Sequence, residues 1–274
     1  MTVREVIDRI IKKTGVTPLP LEQTCDLLIM GQEDWEVTKI VSTFMATVEV
    51  IEEAIRLGAN LIITHEPTWF TGGDRTDWLL EDPVYLKKKA LIEAHQIAIW
   101  RFHDHMHIAD EDGIYRGFDI EFDWAQYRLR NPYDMHRFGC CYKIPRTTLR
   151  ELSLFFKQRL EMDVIQIVGN PDMTVEKVGV LVGGGSLGLG VEESPMQLMT
   201  KMDLDLLICG DITEWTISAY IKDATALGLN KGMLVLGHER SEEAGMKHLG
   251  LWLADCLGGL DVCFVDAREP FRYL

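Results

Sequence analysis

The stretch VTKIVSTFMATVEVIEEAIRLGANLIITHEP, residues 37–67, reads as one strand–helix–strand unit. β-branched residues crowd Val37 to Phe44, as a pleated surface favours. From Val48 to Leu57 apolar residues recur at helical spacing, and Gly58 stands where a helix C-terminus is expected. Leu61-Ile62-Ile63 is then a short, continuous apolar strand, and it runs straight into Thr64-His65-Glu66-Pro67.

Working outward, the same alternation continues along the chain and marks it as α/β. Pro83 opens a helix reaching about His95, and Ile97 to Phe102 is the next strand. Turn formers at Arg130-Asn131-Pro132 mark a break. Beyond it come a strand from Phe138 to Ile144, a helix from Thr147 to Leu160 capped by Thr147 or Thr148, and strands at Val164–Val168 and Val178–Val182. The Gly183-Gly184-Gly185-Ser186 turn follows, then a strand at Leu206–Ile208, a helix from Ile212 to Leu227, and a strand at Met233–Leu236. A helix from Ser241 to Leu257, ended by Gly258-Gly259, and a strand at Val262–Val265 close the series.

Five of eight histidines fall in three short clusters, each at the end of an apolar strand. They are Thr64-His65-Glu66-Pro67, His103-Asp104-His105-Met106-His107 and His238-Glu239-Arg240-Ser241-Glu242. Imidazoles beside carboxylates, delivered from separate elements, are the donor set of a polynuclear divalent site. His238 and Glu242 are four apart at a helix start, so both project from one face. Taken alone, that pair is an ordinary solvated first turn. Pro67 forces Glu66 away from helical geometry, and adjacent extended residues point in different directions, which suits two neighbouring ions. Alone, it too reads as a plain strand end. In an extended stretch His103, His105 and His107 would share a face with Asp104 opposite; a turn would break that rule. Some of these four are expected to orient ligands rather than ligate.

No cysteine lies in the clusters, which argues against a structural zinc finger, and leaves zinc, manganese or iron as candidates. His95, His136 and His248 read as structural or surface residues. If the third cluster is to join the first two, the first domain is discontinuous: residues 1–130 with 232–274, and residues 131–231 inserted as a second α/β domain.

Composition narrows the function classes. With 274 residues the chain fits one large or two moderate domains. A net charge of −15 argues against sequence-independent nucleic-acid binding, which needs cations to displace phosphate counterions. No apolar run reaches membrane-spanning length, and charges interrupt the N-terminal apolar residues at 3, 6, 7, 10 and 11, which have helical spacing. Six cysteines lack C-x-x-C spacing, as expected of reduced thiols in a cytoplasmic protein. The glycine run 183–190 could offer amides to an anion, although it lacks the P-loop lysine; a flexible connection fits equally well. Trp69 and Phe70, just past the first cluster, are candidates to wall a substrate pocket.

At these residues the chain resembles the Nif-three-like dinuclear metal centre family, often labelled GTP cyclohydrolase 1 type 2 homologues. Leu61 to Pro67 is similar to the family's apolar strand ending in T/S-H-H-P. Leu206 to Ile212 resembles its ITGE segment, and Gly237 to Glu242 matches its G-H-x-x-[ST]-E signature. Val178 to Ser186 resembles its glycine-rich segment. Two departures concern the site itself. Glu66 stands where the family has a second histidine, and His107 where it has an aspartate; the reading is a reciprocal exchange of donor types, the alternatives being that one ion is lost or that Asp104 takes over. A third is Met45, where relatives often carry aspartate.

The resemblance implies two similar αβα-layered domains, the first discontinuous and carrying a dinuclear metal site in the cleft, assembled as a homohexameric ring. The ligand types point to a metal-dependent hydrolase holding two divalent ions about 3.5–4 Å apart, with water between them. His65 and His238 would serve one ion, Glu66 and His107 the other, with Glu242 bridging. His103 or Asp104 would move protons or orient ligands. The substrate would be a small molecule, a nucleotide or cyclic amide among the candidates. The rival is a metal-binding regulatory or trafficking protein without turnover, using the same ligands. A third reading, metals that merely fix the fold, predicts unfolding on chelation.

Overall fold

A computed structural model describes residues 1–130 and 139–274. The break expected at Asn131-Pro132, the strand start at Phe138 and His136 lie outside the described residues. In chain order the elements begin α1 (Val3–Lys13), β1 (Leu28–Met30), β2 (Ile40–Thr43), α2 (Val48–Leu57), β3 (Leu61–Thr64), α3 (Pro83–Ala94), β4 (Ala98–Arg101), α4 (Asp104–Ile108) and α5 (Gly113–Phe122). There follow β5 (Arg128–Leu129), β6 (Cys140–Thr148), α6 (Leu149–Arg159), β7 (Gln166–Val168), β8 (Thr174–Leu181), α7 (Ser194–Lys201), β9 (Leu206–Cys209) and α8 (Ile217–Ala226). The last are β10 (Gly232–Val235), α9 (His238–Lys247), α10 (Leu249–Leu253) and β11 (Val262–Phe264).

The chain divides into two compact units. One comprises Met1–Gly117 and Glu243–Arg268, the other Phe118–Glu242 and Glu269–Leu274. The divisions fall inside α5 and inside α9.

The first unit carries a five-stranded sheet in the order β1-β4-β3-β2-β11. All neighbours pair in parallel except β1, which runs antiparallel to β4. Thr43 pairs with Thr64, and Thr64 with Arg101, so β2, β3 and β4 finish level. Whatever follows Thr64 and Arg101 in sequence must therefore emerge at the same carboxyl edge. Ligand sites in open parallel sheets collect at that edge. On one face Val41, Ile62 and Ile99 pack with Val50, Ile51 and Ala54 of α2 and Ile92 of α3 in one buried cluster. On the other, Trp100 stacks on Phe102 and Phe102 on Trp252 of α10. Local chemistry sets the helix ends: Thr2 and Glu5 form a capping box on α1, Thr47 caps α2, and Asp82 caps α3 ahead of Pro83.

The second unit carries a six-stranded sheet ordered β5-β6-β8-β9-β10-β7. Only β8, β9 and β10 run parallel; β5, β6 and β7 join antiparallel. Thr148 caps α6 with Glu151 as its reciprocal partner, and Thr147 stays in the strand. Phe118, Phe122, Trp124, Tyr142 and Phe156 form an aromatic core, with Phe118 within 4.5 to 6.3 Å of the other ring centroids.

These pairings move the domain boundaries expected from sequence. Met233–Val235 pairs with Leu207–Cys209 on one side and Gln166–Val168 on the other, so β10 is an inner strand of the second sheet rather than part of residues 1–130 with 232–274. Residues 118–129 also pack in the second unit, through the aromatic core and the β5–β6 pairing. Two helices differ in extent as well. The helix expected from Ser241 to Leu257 begins at His238 and breaks at His248 into α9 and α10, and α8 starts at Ile217 rather than Ile212.

Candidate metal centre

In the first unit, β3 ends at Thr64 and hands the chain to His65 and Glu66, while β4 hands it to Phe102 and His103. The segment His103–His107 is not extended. Asp104–Ile108 is a short helix, and its period places His103 and His107 on one side and His105 on another. The rings of His65, His103 and His107 meet pairwise with centroids 4.6, 5.0 and 4.9 Å apart. One ligand atom from each lies within 4.8 Å of the other two, a grouping able to hold a metal ion.

Each of these imidazoles is oriented through Nδ1. His65 Nδ1 is 3.3 Å from the Phe102 carbonyl, His103 Nδ1 is 2.9 Å from Asp104 Oδ1, and His107 Nδ1 is 2.9 Å from Asp112 Oδ2. With Nδ1 engaged, Nε2 is the nitrogen presented as a donor, the arrangement that fixes tautomer and raises basicity in metal-bound histidines. Asp112 does double duty: its other oxygen accepts the Ile114 and Tyr115 amides at the start of α5.

His105 points elsewhere. Its Nδ1 donates to Asp26 Oδ2 at 2.6 Å, and its Nε2 accepts from the Leu19 amide at 2.9 Å. It is a buried structural residue. Asp26 also accepts the amides of His103, Asp104 and His105, satisfying the exposed N–H groups at the start of α4. Asp104 accepts from Thr24 Oγ1 and the Cys25 amide besides His103. The His103 hydrogen bond above all holds this carboxyl well below the usual carboxylate range. Cys25 lies with His103 and Asp104 in a second grouping of possible ligand atoms, but burial pushes its thiol up to about 12.

Glu66 faces two ways. Its Oε2 is 3.2 Å from Arg101 Nη2, and its Oε1 is 3.5 Å from His103 Nε2. The loop that follows is pinned by buried charges: Asp74 accepts the Thr68 and Trp69 amides, and Lys88 donates to the Thr68 carbonyl at 2.8 Å. Trp69 is buried against Tyr85 and belongs to the core, whereas Phe70 is exposed. Of the two aromatics offered as pocket walls, only Phe70 is free to meet a ligand.

Burial pushes the Lys88 ammonium down to about 8, with Asp74 pulling the other way. An unfolded lysine keeps its proton up to 10.5, so between these values the unfolded chain binds more protons and stability rises with pH. Below about 8 the cost of burying the charge, on the order of 3 kcal/mol, is fully present. Unfolding in denaturant at a series of alkaline pH values should therefore show wild type gaining on Lys88→Met across this window. A difference that stays flat with pH would refute the assignment.

The second unit presents its own pair. His238 opens α9 immediately after Gly237, whose φ of +82° lets the chain turn sharply off β10. His238 Nε2 lies 3.2 Å from Glu242 Oε2, and His238 Nδ1 lies 2.8 Å from Asp211 Oδ2. Asp211 lies in the Leu206–Ile212 segment, where sequence gave it no role. Within the glycine run, Gly183 makes a close approach to the His238–Glu242 pair. A Cβ on Gly183 would strike the Glu242 carboxylate and the His238 ring, and the Gly183 amide donates to Ser241 Oγ at 2.9 Å.

Asp26, Arg101, Asp112 and Asp211 all escaped sequence reasoning. Asp112 and Asp211 each stand near a histidine cluster or a recognised segment, but nothing in their spacing singles them out.

The model of the Duf34/NIF3 (NGG1p interacting factor 3) family matches residues 1–270. The chain belongs to this family. Among its curated relatives, a GTP cyclohydrolase 1 type 2 homolog of Clostridium perfringens is 24% identical over 272 residues, covering 94% of this chain and 95% of the relative. One of Vibrio cholerae is 25% identical over 266 residues, covering 93% and 94%. Among solved structures, Staphylococcus aureus protein SA1388 superposes with a TM-score of 0.75 at 17% identity, over 100% of this chain and 99% of that one. A Bacillus cereus protein related to NIF3 gives 0.74 at 15%, over 100% and 99%. These likenesses establish the two-sheet α/β fold of the Duf34/NIF3 family for this chain. Among the described residues, no helix is long and apolar enough to cross a membrane.

Proposed function

We propose that this Duf34/NIF3 protein is a metal-dependent hydrolase acting on a small molecule. The observation that carries the proposal is the group of His65, His103 and His107, each with Nδ1 engaged and its donors within 4.8 Å. Borderline divalent ions such as zinc, manganese or iron(II) take such imidazole and carboxylate donors. The proposal assigns His65, Glu66, His107, His238 and Glu242 as ligands for two divalent ions. Bound metal would polarise a carbonyl, ring carbon or phosphoryl group and lower the pKa of a coordinated water.

The protein's own residues divide the remaining work. Phe102 O, Asp112 and Asp211 orient the imidazoles of His65, His107 and His238. Asp104, held ionised, supports His103 as the proton carrier, and His103 faces Glu66 through Nε2. The grouping of His103 with the other two imidazoles supports a second assignment, His103 as a ligand. The relatives' name, GTP cyclohydrolase 1 type 2 homolog, fits a nucleotide or cyclic amide substrate. A homo-oligomeric ring belongs to the same proposal.

The test is turnover of a panel of nucleotides, cyclic amides and phosphoesters by the zinc-, manganese- and iron-loaded protein. His103→Asn is expected to keep its metal and lose about 10²–10⁴-fold in rate, the range of a general acid–base. Metal lost together with activity would make His103 a ligand. Metal bound with no turnover across the panel would favour a regulatory or trafficking protein.

A further inference from the structure

We infer that Arg101 is a positioning residue of the metal centre and acts through Glu66, an inference that rests on the metal-binding function proposed above. Arg101 is the last residue of β4 and pairs with Thr64, the last residue of β3. Its guanidinium thus sits where the loop bearing His65 and Glu66 leaves the sheet. Only 4% of the residue is exposed. All three of its nitrogens are committed to that loop. Nε donates to the His65 carbonyl at 3.1 Å, Nη1 to the Gly72 carbonyl at 2.6 Å, and Nη2 to Glu66 Oε2 at 3.2 Å. One planar fork therefore ties down the backbone of one candidate ligand, the carboxylate of another, and the far end of the loop.

The chemistry of the fork decides what this does. A guanidinium stays charged at any working pH and holds a carboxylate oxygen in a fixed direction. By taking Oε2 it turns Oε1 toward His103 Nε2, 3.5 Å away. Removing the guanidinium would therefore take away one directional restraint on the Glu66 carboxylate. Asp74 is a second, buried carboxylate near the guanidinium: its Oδ1 accepts the Thr68 and Trp69 amides and its Oδ2 lies 3.8 Å from Arg101 Nη1, so Glu66, at 3.2 Å, is the carboxylate within hydrogen-bond distance. Outer partners of this kind govern affinity without touching the ion.

The experiment is a double-mutant cycle on the full-length protein, with Co²⁺ titrated into metal-free samples and followed by visible absorption. Arg101→Met should weaken Co²⁺ binding about 10–100-fold, the cost of losing an outer partner, with Arg101→Lys recovering part. In a Glu66→Gln background the same substitution should cost less than about threefold, because coupled residues are not additive. Equal losses in both backgrounds would mean that Arg101 acts only through the loop carbonyls and would overturn the inference. So would an Arg101→Met protein that binds Co²⁺ like wild type. If Arg101→Met does not fold, Arg101→Lys in the same two backgrounds is read the same way. Failure of wild type to bind Co²⁺ at all has a different signature and overturns the metal centre itself.

Discussion

If His107 and Glu66 ligate metal as proposed, alanine at either should release one bound ion, while alanine at Asp104 should release none. The expectation follows from the trade of donor types. The resemblance implies aspartate and histidine where this chain has His107 and Glu66, and His107 is oriented by Asp112 so that Nε2 is its donor nitrogen. Asp104 is spent on Thr24, the Cys25 amide and His103. Losing a ligand should weaken the affected ion by more than the roughly 10–100-fold that follows loss of an outer partner. Metal counting by elemental mass spectrometry on dialysed protein, with calorimetric titration for affinity, checks the series. Two ions retained in both the Glu66 and His107 variants would defeat the reciprocal exchange. Loss of an ion in the Asp104 variant would assign that carboxylate as the replacement ligand.

Phe118→Ala is expected to destabilise the second unit by about 3–5 kcal/mol, the range for deleting a fully buried aromatic ring. Phe118 is 0% exposed and has four aromatic neighbours, Phe122, Trp124, Tyr142 and Phe156. The remaining rings are large and already interlocked, so they have little freedom to collapse into the void. Denaturant unfolding followed by tryptophan fluorescence, to which Trp124 within the cluster is one of seven contributors, measures the loss. A cost below about 1 kcal/mol would show that residues 118–129 do not anchor this core, because a well-packed site cannot lose a ring so cheaply.

Local chemistry explains what could be read from the chain beforehand. The unit β2–α2–β3 was legible because its apolar runs, its helical spacing and Gly58 all lie within thirty-one consecutive residues, 37–67. The His238–Glu242 pair was legible for the same reason, since a helix fixes what four residues of separation means. Helix α4 was not. Its five residues carry no apolar period, and its N-terminal amides are satisfied by Asp26, 77 residues distant from His103. An extended His103–His107 would place His105 on one face with His103 and His107, and the helix removes it from that face. The place of β10 was hidden likewise: an apolar strand announces burial but not which strands flank it. Arg101, Asp112 and Asp211 act through hydrogen bonds that only folding creates. The residues that could bind metal were therefore visible by type, and the residues that aim them were not.

The edge of the first sheet is completed by β11, whose Val262, Cys263 and Phe264 lie beside Ile40, Val41 and Ser42 of β2. During synthesis β2 leaves the ribosome well before β11, and its outer rim lacks this partner until residues 262–264 have been made. Long-range parallel pairing of this kind is slow to form. A nascent or truncated chain lacking residues 262–264 would expose a bare strand rim, the surface on which chains aggregate. Emergence of residues 262–264, rather than of the early βαβ unit, is then the event that closes this sheet.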